Sequence, residues 1–126
     1  MTSPGGMNAA PWVGMQKSPS SSVIEHSLQV VALSRPLVEA VQRRDRDLAS
    51  QLRRAISSIS LNLAEGFGSA AGNSRLRFQS ALGSLNEAET ALRVAIAWGY
   101  FSADAALGTF ASIKSLGGRI VGLVRR

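Results

Sequence analysis

The sequence has no cysteine, a single histidine and few aromatic residues, which make up 6% of its 126 residues. Without cysteine, the chain forms no disulfides, thiolate nucleophiles or cysteine-based zinc sites. His26 has no second histidine to act with, so we expect it at the surface or boundary of a helix. Any catalytic or metal site would then have to use carboxylates, and no pair of them stands out. We therefore expect a protein that is not an enzyme and holds no cofactor or metal.

Long apolar runs are also missing. No stretch approaches the ~20 apolar residues of a transmembrane helix, and the N-terminal segment lacks the charged start and apolar centre of a signal peptide. Residues 1–21 instead hold three of the four prolines together with Gly and Ser, and they show neither helical nor strand periodicity. We expect a disordered tail there, and a cytoplasmic protein without membrane contact.

Basic residues outnumber acidic ones. Lys and Arg number 14 against 8 Asp and Glu, giving a net charge of +6, and 12 of the 14 basic residues are arginine. The planar guanidinium of arginine matches phosphate and carboxylate groups, so this balance favours an anionic partner such as nucleic acid. The alternative is a charge that only keeps the protein soluble.

Beyond the tail, apolar residues recur at steps of three and four, the spacing of one face of an α-helix. In the clearest example, Leu48 to Gly66, one apolar stripe contains Leu52, Ile59 and Leu63. The pattern predicts helices at about residues 22–42, 48–66, 73–99 and 103–124. Short turns between them favour an all-α, up-down-up-down four-helix bundle that forms a single domain over residues 22–126.

Local signals set the predicted helix ends. Ser22 and Glu25 have the spacing of a capping box at the start of the first helix. Pro36 predicts either a kink or a restart within that helix, because proline lacks the backbone donor. The N-caps expected for the later helices are Asp47, then Asn73 or Ser74, and then Ser102.

Aromatic residues cluster after the third predicted helix. We expect Trp98, Tyr100 and Phe101 to fill the end of the core, with Gly99 allowing the turn that stops the helix. This leaves few exposed aromatic side chains to stack on unpaired bases. Any binding of nucleic acid should therefore depend mainly on charge and fall steeply with salt.

Arginines concentrate near the first turn of the predicted bundle. Five of them fall between residues 43 and 54, with Asp45 and Asp47 in the same stretch. One interpretation is a solvated turn with mutual salt bridges, and the other is a phosphate-binding patch at one end of the bundle. The residues that we predict to contact nucleic acid are Arg43, Arg44, Arg46, Arg53, Arg54, Arg75 and Arg77.

Polar side chains form a second stripe beside the apolar one on the second and third predicted helices. Its members are Gln51, Ser58, Asn62, Glu65, Ser84 and Glu87. We interpret the stripe as a hydrogen-bonded layer inside a subunit or between subunits, with Arg54, Glu65 and Glu87 paired by charge. A metal site on Glu65 and Glu87 is the alternative. Bundles with such sites use a Glu-x-x-His motif, and this chain has no second histidine.

Two motifs carry a family resemblance, QLRRA at Gln51 to Ala55 and NLAEG at Asn62 to Gly66, followed by Gly83-Ser84-Leu85. With these motifs at this spacing, the chain resembles the four-helix-bundle family of 23S rRNA intervening-sequence proteins, which includes the accessory variability determinants of diversity-generating retroelements. The resemblance implies a homopentamer, basic on its outside or pore, that in the retroelement branch binds nucleic acid and a reverse transcriptase. Ser60 stands where the family often has proline, so the second helix should be more regular.

Together these observations predict a non-enzymatic, oligomeric protein that binds nucleic acid through phosphate contacts without reading base sequence. A reverse transcriptase is a candidate protein partner. The alternative is a protein–protein scaffold or assembly adaptor with no direct role at nucleic acid. Charge reversal of the arginines separates the two, because only the binding of nucleic acid depends on them.

Overall fold

The computed structural model describes residues 19–126, with side chains from Ser22 onward. Within this part of the chain, four α-helices occur, and a short 3₁₀ turn at Asp104–Ala106 precedes the last one. The helices are α1 (Pro19–Gln42), α2 (Arg46–Phe67), α3 (Ala71–Ala97) and α4 (Leu107–Val124). No strand is present in the described residues, so the predicted all-α bundle is confirmed. Of the predicted tail, residues 1–18 lie outside the described residues and the last three belong to α1.

Successive helices run antiparallel and close into a ring. α2 packs against both α1 and α3, α3 packs against α4, and α4 packs back against α1. Two hydrogen bonds fix the direction of this last pair. Near the start of α4, Thr109 Oγ1 donates to Leu33 O at 3.2 Å, and near its end Arg119 Nη2 donates to Ser22 Oγ at 2.8 Å. The predicted up-down-up-down topology is therefore the one observed.

The apolar stripes of the four helices meet in one core. At the seam between α2 and α3, four large apolar side chains are at most 3% exposed: Leu52, Ile59, Leu85 and Leu92. Small residues on α3, such as Ala81 and Ala88, are fully buried, which lets α2 approach closely. Burial of one leucine or isoleucine side chain stabilises the fold by roughly 1.5–3 kcal/mol. This seam therefore holds the bundle together along its whole length.

The start of α2 differs from the prediction, because its N-cap is Asp45 rather than Asp47. Asp45 has extended backbone angles, φ −156° and ψ 91°, and its side chain accepts a hydrogen bond from Leu48 N at 3.0 Å. Asp47 lies inside the first helical turn, where its charge still favours the helix N-terminus. The turn between α1 and α2 contains only residues 43–45, and Asp45 N bonds back to Val41 O at the end of α1. Because this turn is short, α2 begins at Arg46 and Asp45 takes the cap position.

Two predictions about α1 are also corrected. The helix begins at Pro19, three residues before the expected cap, and proline suits a first turn because its missing N–H has no helical partner there. Ser22 is therefore inside the helix, where its hydroxyl accepts from Arg119 instead of capping. α1 also runs unbroken through Pro36, which excludes a restart. Pro36 has no N–H to donate to the preceding helical turn, which weakens that turn. Thr109 Oγ1 on α4 donates to Leu33 O in the same turn and so holds it against α4.

The ends of α3 show one wrong prediction and one correct one. The N-cap is Ala70, with no side-chain cap, because Ser74 Oγ donates instead to Gly66 O at 2.6 Å and to Ser69 O at 3.0 Å. At the other end, Gly99 stops the helix as predicted, with a positive φ of 80°. Its N–H bonds to Ile96 O and the N–H of Tyr100 bonds to Ala95 O, both at 2.9 Å. This pair of bonds is a Schellman motif.

Candidate functional site

Five of the predicted arginines lie at one end of the bundle, on the α1–α2 turn and the first turns of α2. We call this set the arginine end, and its members are Arg43, Arg44, Arg46, Arg53 and Arg54. All five are exposed. The ion pairs among the described residues involve Arg35, Arg77 and Arg93, so none of them neutralises the arginine end. Arg54 Nη1 donates only to Ser50 Oγ, at 2.9 Å.

The acidic residue within the turn is used by the fold and not by the arginines. Asp45 Oδ1 accepts from Leu48 N, and Asp45 Oδ2 accepts from the Tyr100 hydroxyl at 3.0 Å. Desolvation and this hydrogen bond raise the pKa of Tyr100 above its usual value. The Arg44 guanidinium lies over the Tyr100 ring, 5.4 Å from its centroid. The mutual salt bridges of a solvated turn are thus absent among these residues.

Arg75 and Arg77 lie elsewhere, at the opposite end of the bundle near the α2–α3 turn. Because α2 and α3 are antiparallel and Arg77 lies beside Glu65, about 28 Å of helix separates Arg77 from the level of Arg46 and about 17 Å from that of Arg54. Arg77 Nε pairs with Glu65 Oε2 at 3.0 Å, and Arg75 Nη2 donates to Arg126 O at 2.9 Å. The seven predicted arginines therefore form two groups, and no member of the first group has a carboxylate partner among the described residues.

Three members of the predicted polar stripe, Ser58, Asn62 and Ser84, form a hydrogen-bonded network between α2 and α3. Ser84 Oγ donates to Ser58 Oγ at 2.9 Å, and Asn62 Nδ2 donates to Ser58 Oγ and Ser58 O at the same distance. Gln51 and Glu87 are exposed beside this network. The network links the two helices within one subunit and leaves their polar edge at the surface.

The predicted charge pairing of Arg54, Glu65 and Glu87 within a subunit is wrong. Arg54 bonds to Ser50, and Glu65 pairs with Arg77. The antiparallel register puts Glu65 beside residue 77 of α3, ten residues from Glu87, so about 15 Å of helix separates the two carboxylates. Within the described residues, no three His, Asp or Glu side chains are grouped as metal ligands. The register therefore gives the metal alternative no geometric support.

Two exposed leucines lie on the same surface, and the sequence prediction missed them. Leu61 on α2 is 65% exposed and Leu76 on α3 is 60% exposed. Gly83 is exposed on α3 next to Ser84, and a Cβ there would meet nothing within 4 Å. We call this surface the outer face, and its members are Gln51, Ser58, Leu61, Asn62, Glu65, Leu76, Ser80, Gly83, Ser84 and Glu87. The sequence could have indicated the exposure of Leu61, because this leucine lies on the side of α2 that otherwise carries polar residues.

Trp98 is the residue whose position differs most from the prediction. Tyr100 and Phe101 pack against the core as expected, but Trp98 is 67% exposed. Trp98 is the C-cap of α3 and lies one turn beyond the exposed Val94, so it continues the solvent side of the helix. It cannot close the core from there.

His26 forms a contact between α1 and α4, at the boundary position that the sequence predicts. Its Nδ1 lies 3.1 Å from Arg119 Nη1, and Arg119 Nη2 donates to Ser22 Oγ. Burial lowers the pKa of His26 below its usual value, the charge of Arg119 lowers it further, and a bond to the backbone of Ser112 raises it. Nδ1 of His26 must carry no proton to accept a hydrogen bond from Arg119, so the ring is neutral in this contact.

Comparison with known proteins assigns this fold to a family. The family model for the 23S rRNA-intervening sequence protein matches residues 21–122, so the chain belongs to that family. It is similar in structure to a protein with unknown function from the S23 ribosomal protein family of Bacteroides thetaiotaomicron VPI-5482, with a TM-score of 0.74 and 18% sequence identity. That match covers 82% of this chain and 99% of the other. No curated protein matches the sequence. Over residues 19–126, no helix is both long and apolar enough to cross a bilayer.

Proposed function

We propose that this chain is a non-enzymatic, cytoplasmic protein that binds nucleic acid as a homo-oligomer, with the arginine end contacting phosphates. The observation that supports this most directly is the group of five exposed arginines without a carboxylate partner among the described residues. Phosphate contacts position a protein on nucleic acid without reading its sequence, so no base specificity is expected from these side chains.

The arrangement of the arginine end suits a phosphate backbone. Asp45 accepts hydrogen bonds from Leu48 N and the Tyr100 hydroxyl and, within the described residues, forms no ion pair with the arginines, which outnumber the acidic residues of this segment. Arg53 and Arg54 extend the charge along α2 for about two turns beyond Arg46. Each phosphate that an arginine neutralises releases counterions, which makes affinity fall with salt concentration. Copies of the chain in one assembly would multiply this field.

The outer face is our proposed contact between subunits. It combines exposed leucines with small and hydrogen-bonding residues, a composition that allows close helix packing. The family resemblance proposes five subunits. The Ser84–Ser58–Asn62 network already fixes these side chains within one subunit. Less conformational entropy would then be lost when a second copy packs on the outer face.

The experiment is a salt titration of binding by fluorescence anisotropy, with labelled single-stranded and duplex oligonucleotides. We expect log Kd to rise linearly with log salt, with a slope of roughly 3.5 for the single strand and roughly 4.5 for the duplex if five arginines contact phosphates. The double variant Arg46→Gln and Arg53→Gln should weaken binding about tenfold or more at low salt. Its matched control is Arg75→Gln and Arg77→Gln, which removes the same charge from the opposite end and should change affinity far less. An affinity indifferent to salt, or equal losses in both variants, would contradict the proposal.

A second candidate function is that of an adaptor that binds a protein, for which the resemblance suggests a reverse transcriptase. The exposure of Leu61 and Leu76 favours it, because apolar patches of this kind on soluble proteins mark contacts with other proteins. Gly83→Arg would block the outer face without a clash inside the subunit, since a Cβ there meets nothing. Gly118→Arg on α4 is the matched control, because its Cβ also meets nothing. Light scattering should show a smaller assembled mass only for Gly83→Arg if copies of the chain meet there. A loss of reverse transcriptase binding with the mass unchanged would favour the adaptor.

A further inference from the structure

Trp98 is the one aromatic side chain that is exposed among the described residues. The other aromatic residues there are buried or partly buried, and Phe67 and Phe78 pack edge to face against each other at 5.0 Å. An indole ring that is 67% exposed leaves a large apolar area in water. The core does not need it, so its position calls for a partner outside the subunit.

The position of Trp98 is beside the arginine end. It lies two residues before Tyr100, whose hydroxyl bonds to Asp45 and whose ring lies under Arg44. The two loops that carry Trp98 and the arginines are thus joined by direct contacts. Backbone bonds hold the tryptophan itself in place, from Trp98 N to Val94 O at 3.0 Å and from Gly99 N to Ile96 O at 2.9 Å. The backbone of Trp98 is therefore fixed, and its exposed indole offers a flat apolar surface next to the segment that contacts Asp45 and Arg44.

We infer that the nucleic acid bound at the arginine end is single-stranded, with a base stacked on Trp98 and neighbouring phosphates on Arg44 and Arg46. This inference rests on the proposed function. A combination of cationic groove and aromatic platform is the general way in which proteins hold unpaired strands. In a duplex the faces of the bases are already stacked on one another, so an exposed indole gains nothing from them. Stacking on Trp98 therefore gives a preference for single strands that the arginines alone do not give.

The test uses tryptophan fluorescence and affinity together. Trp12→Phe, at a position outside the described residues, leaves Trp98 as the sole tryptophan. The probes are an unlabelled oligothymidylate of about 12 nucleotides and a duplex of the same length, at one fixed low salt concentration. We expect quenching of Trp98 emission by the single strand only. In anisotropy measurements with labelled versions of the same oligonucleotides, Trp98→Ala should lose roughly tenfold in affinity for the single strand and keep its duplex affinity, while Trp98→Phe should retain most of the single-strand affinity.

The matched control is Leu107→Ala, since Leu107 is 62% exposed and begins α4 at the same end of the bundle. It should leave both affinities unchanged. Equal losses for duplex and single strand in Trp98→Ala, or unchanged emission on binding, would overturn the inference and leave the proposed function standing. So would a drop in assembled mass in Trp98→Ala, which would make Trp98 a subunit contact. Failure of the wild type to bind either probe would instead overturn the proposed function itself, and this inference with it.

Discussion

The two ends of the bundle use the same residue types in opposite ways. At the arginine end, Asp45 caps α2 and holds Tyr100, and the neighbouring cations have no acidic partner among the described residues. At the opposite end, Glu65 pairs with Arg77, and the cap position of α3 holds an alanine. Asp45 bonds to neutral donors and forms no ion pair within residues 22–126, whereas Glu65 pairs directly with Arg77. Among the described residues, the arginine end therefore keeps its guanidinium groups without a carboxylate partner, whereas at the opposite end Arg77 has one and Arg75, Arg125 and Arg126 do not.

The largest expected effect concerns close packing at the opposite end. A Cβ at Gly66 would overlap the ring of Phe78, which is only 6% exposed. Gly66→Val should cost about 3 kcal/mol of unfolding free energy, because the ring must move within a packed core. Urea denaturation followed by circular dichroism measures it. Gly68→Ala is the control, since its Cβ would lie at an ordinary 3.5 Å from Ala64 O and should change little. A Gly66→Val variant as stable as the wild type would show that this end is loosely packed.

Next in size is the loss of the cap at the arginine end. Asp45→Ala removes the bond to Leu48 N and the bond from the Tyr100 hydroxyl, and should cost about 2 kcal/mol. Tyr100→Phe removes only the second bond and should cost about 1 kcal/mol. In chemical denaturation, the double variant should be hardly less stable than Asp45→Ala alone, because both share one interaction. Full additivity of the two losses would show that the bond contributes nothing.

The missing cap at the opposite end predicts a gain. Ala70 has the extended backbone of an N-cap, φ −65° and ψ 156°, but no side-chain acceptor. Ala70→Asp should therefore stabilise the protein by roughly 0.5–1 kcal/mol. Thermal unfolding of Ala71→Asp is the control, since it adds the same charge one residue later without the cap geometry and should gain less. An equal gain in both variants would attribute the effect to charge and not to capping.

A smaller effect is expected from the surface ion pair. Arg77→Gln removes the 3.0 Å pair with Glu65, in which both side chains are about half exposed. Pairs of this kind contribute roughly 0.5 kcal/mol, so the denaturation midpoint should barely fall. Arg46→Gln at the arginine end removes a cation without an acidic partner and should leave stability unchanged or slightly higher. A larger loss for Arg46→Gln than for Arg77→Gln would reverse the comparison of the two ends.

The dependence of stability on pH should reveal His26. Because its pKa is lowered in the folded state, the unfolded chain binds the proton more readily. The contribution of His26 to stability is therefore fully present above a pH of about 6.5 and declines as the pH falls below it. Urea midpoints measured between pH of about 7.5 and 5.5 should decline for the wild type. They should decline less for His26→Gln, which has no proton to gain in this window, and equal slopes would contradict the assignment.

The sequence predicted the fold well because burial of apolar stripes decides it. Leu52 and Ile59, at helical spacing, could hardly lie anywhere but in a helical core, and they are fully buried. The helix ends were less predictable, since Asp45 and Asp47 are both good caps and only the length of the preceding turn selects one of them.

The candidate site depended on information that periodicity does not contain. Which arginines share an end follows from the antiparallel register of α2 and α3, so Arg77 meets Glu65 and lies far from Arg46. The exposure of Trp98 was missed because an aromatic residue at a helix end suggests core packing. Its place on the solvent side of α3 is visible only once the register is known.

The return of α4 to α1 has a practical consequence. The first turn of α1 and the last two turns of α4 lie side by side, with Arg119 bonded to Ser22, at the end of the bundle opposite the arginine end. A tag or fluorescent protein joined after Arg126 would then be attached about 30 Å from the arginine end. The protein could be immobilised on a sensor surface by such a tag with its cationic end facing the solution.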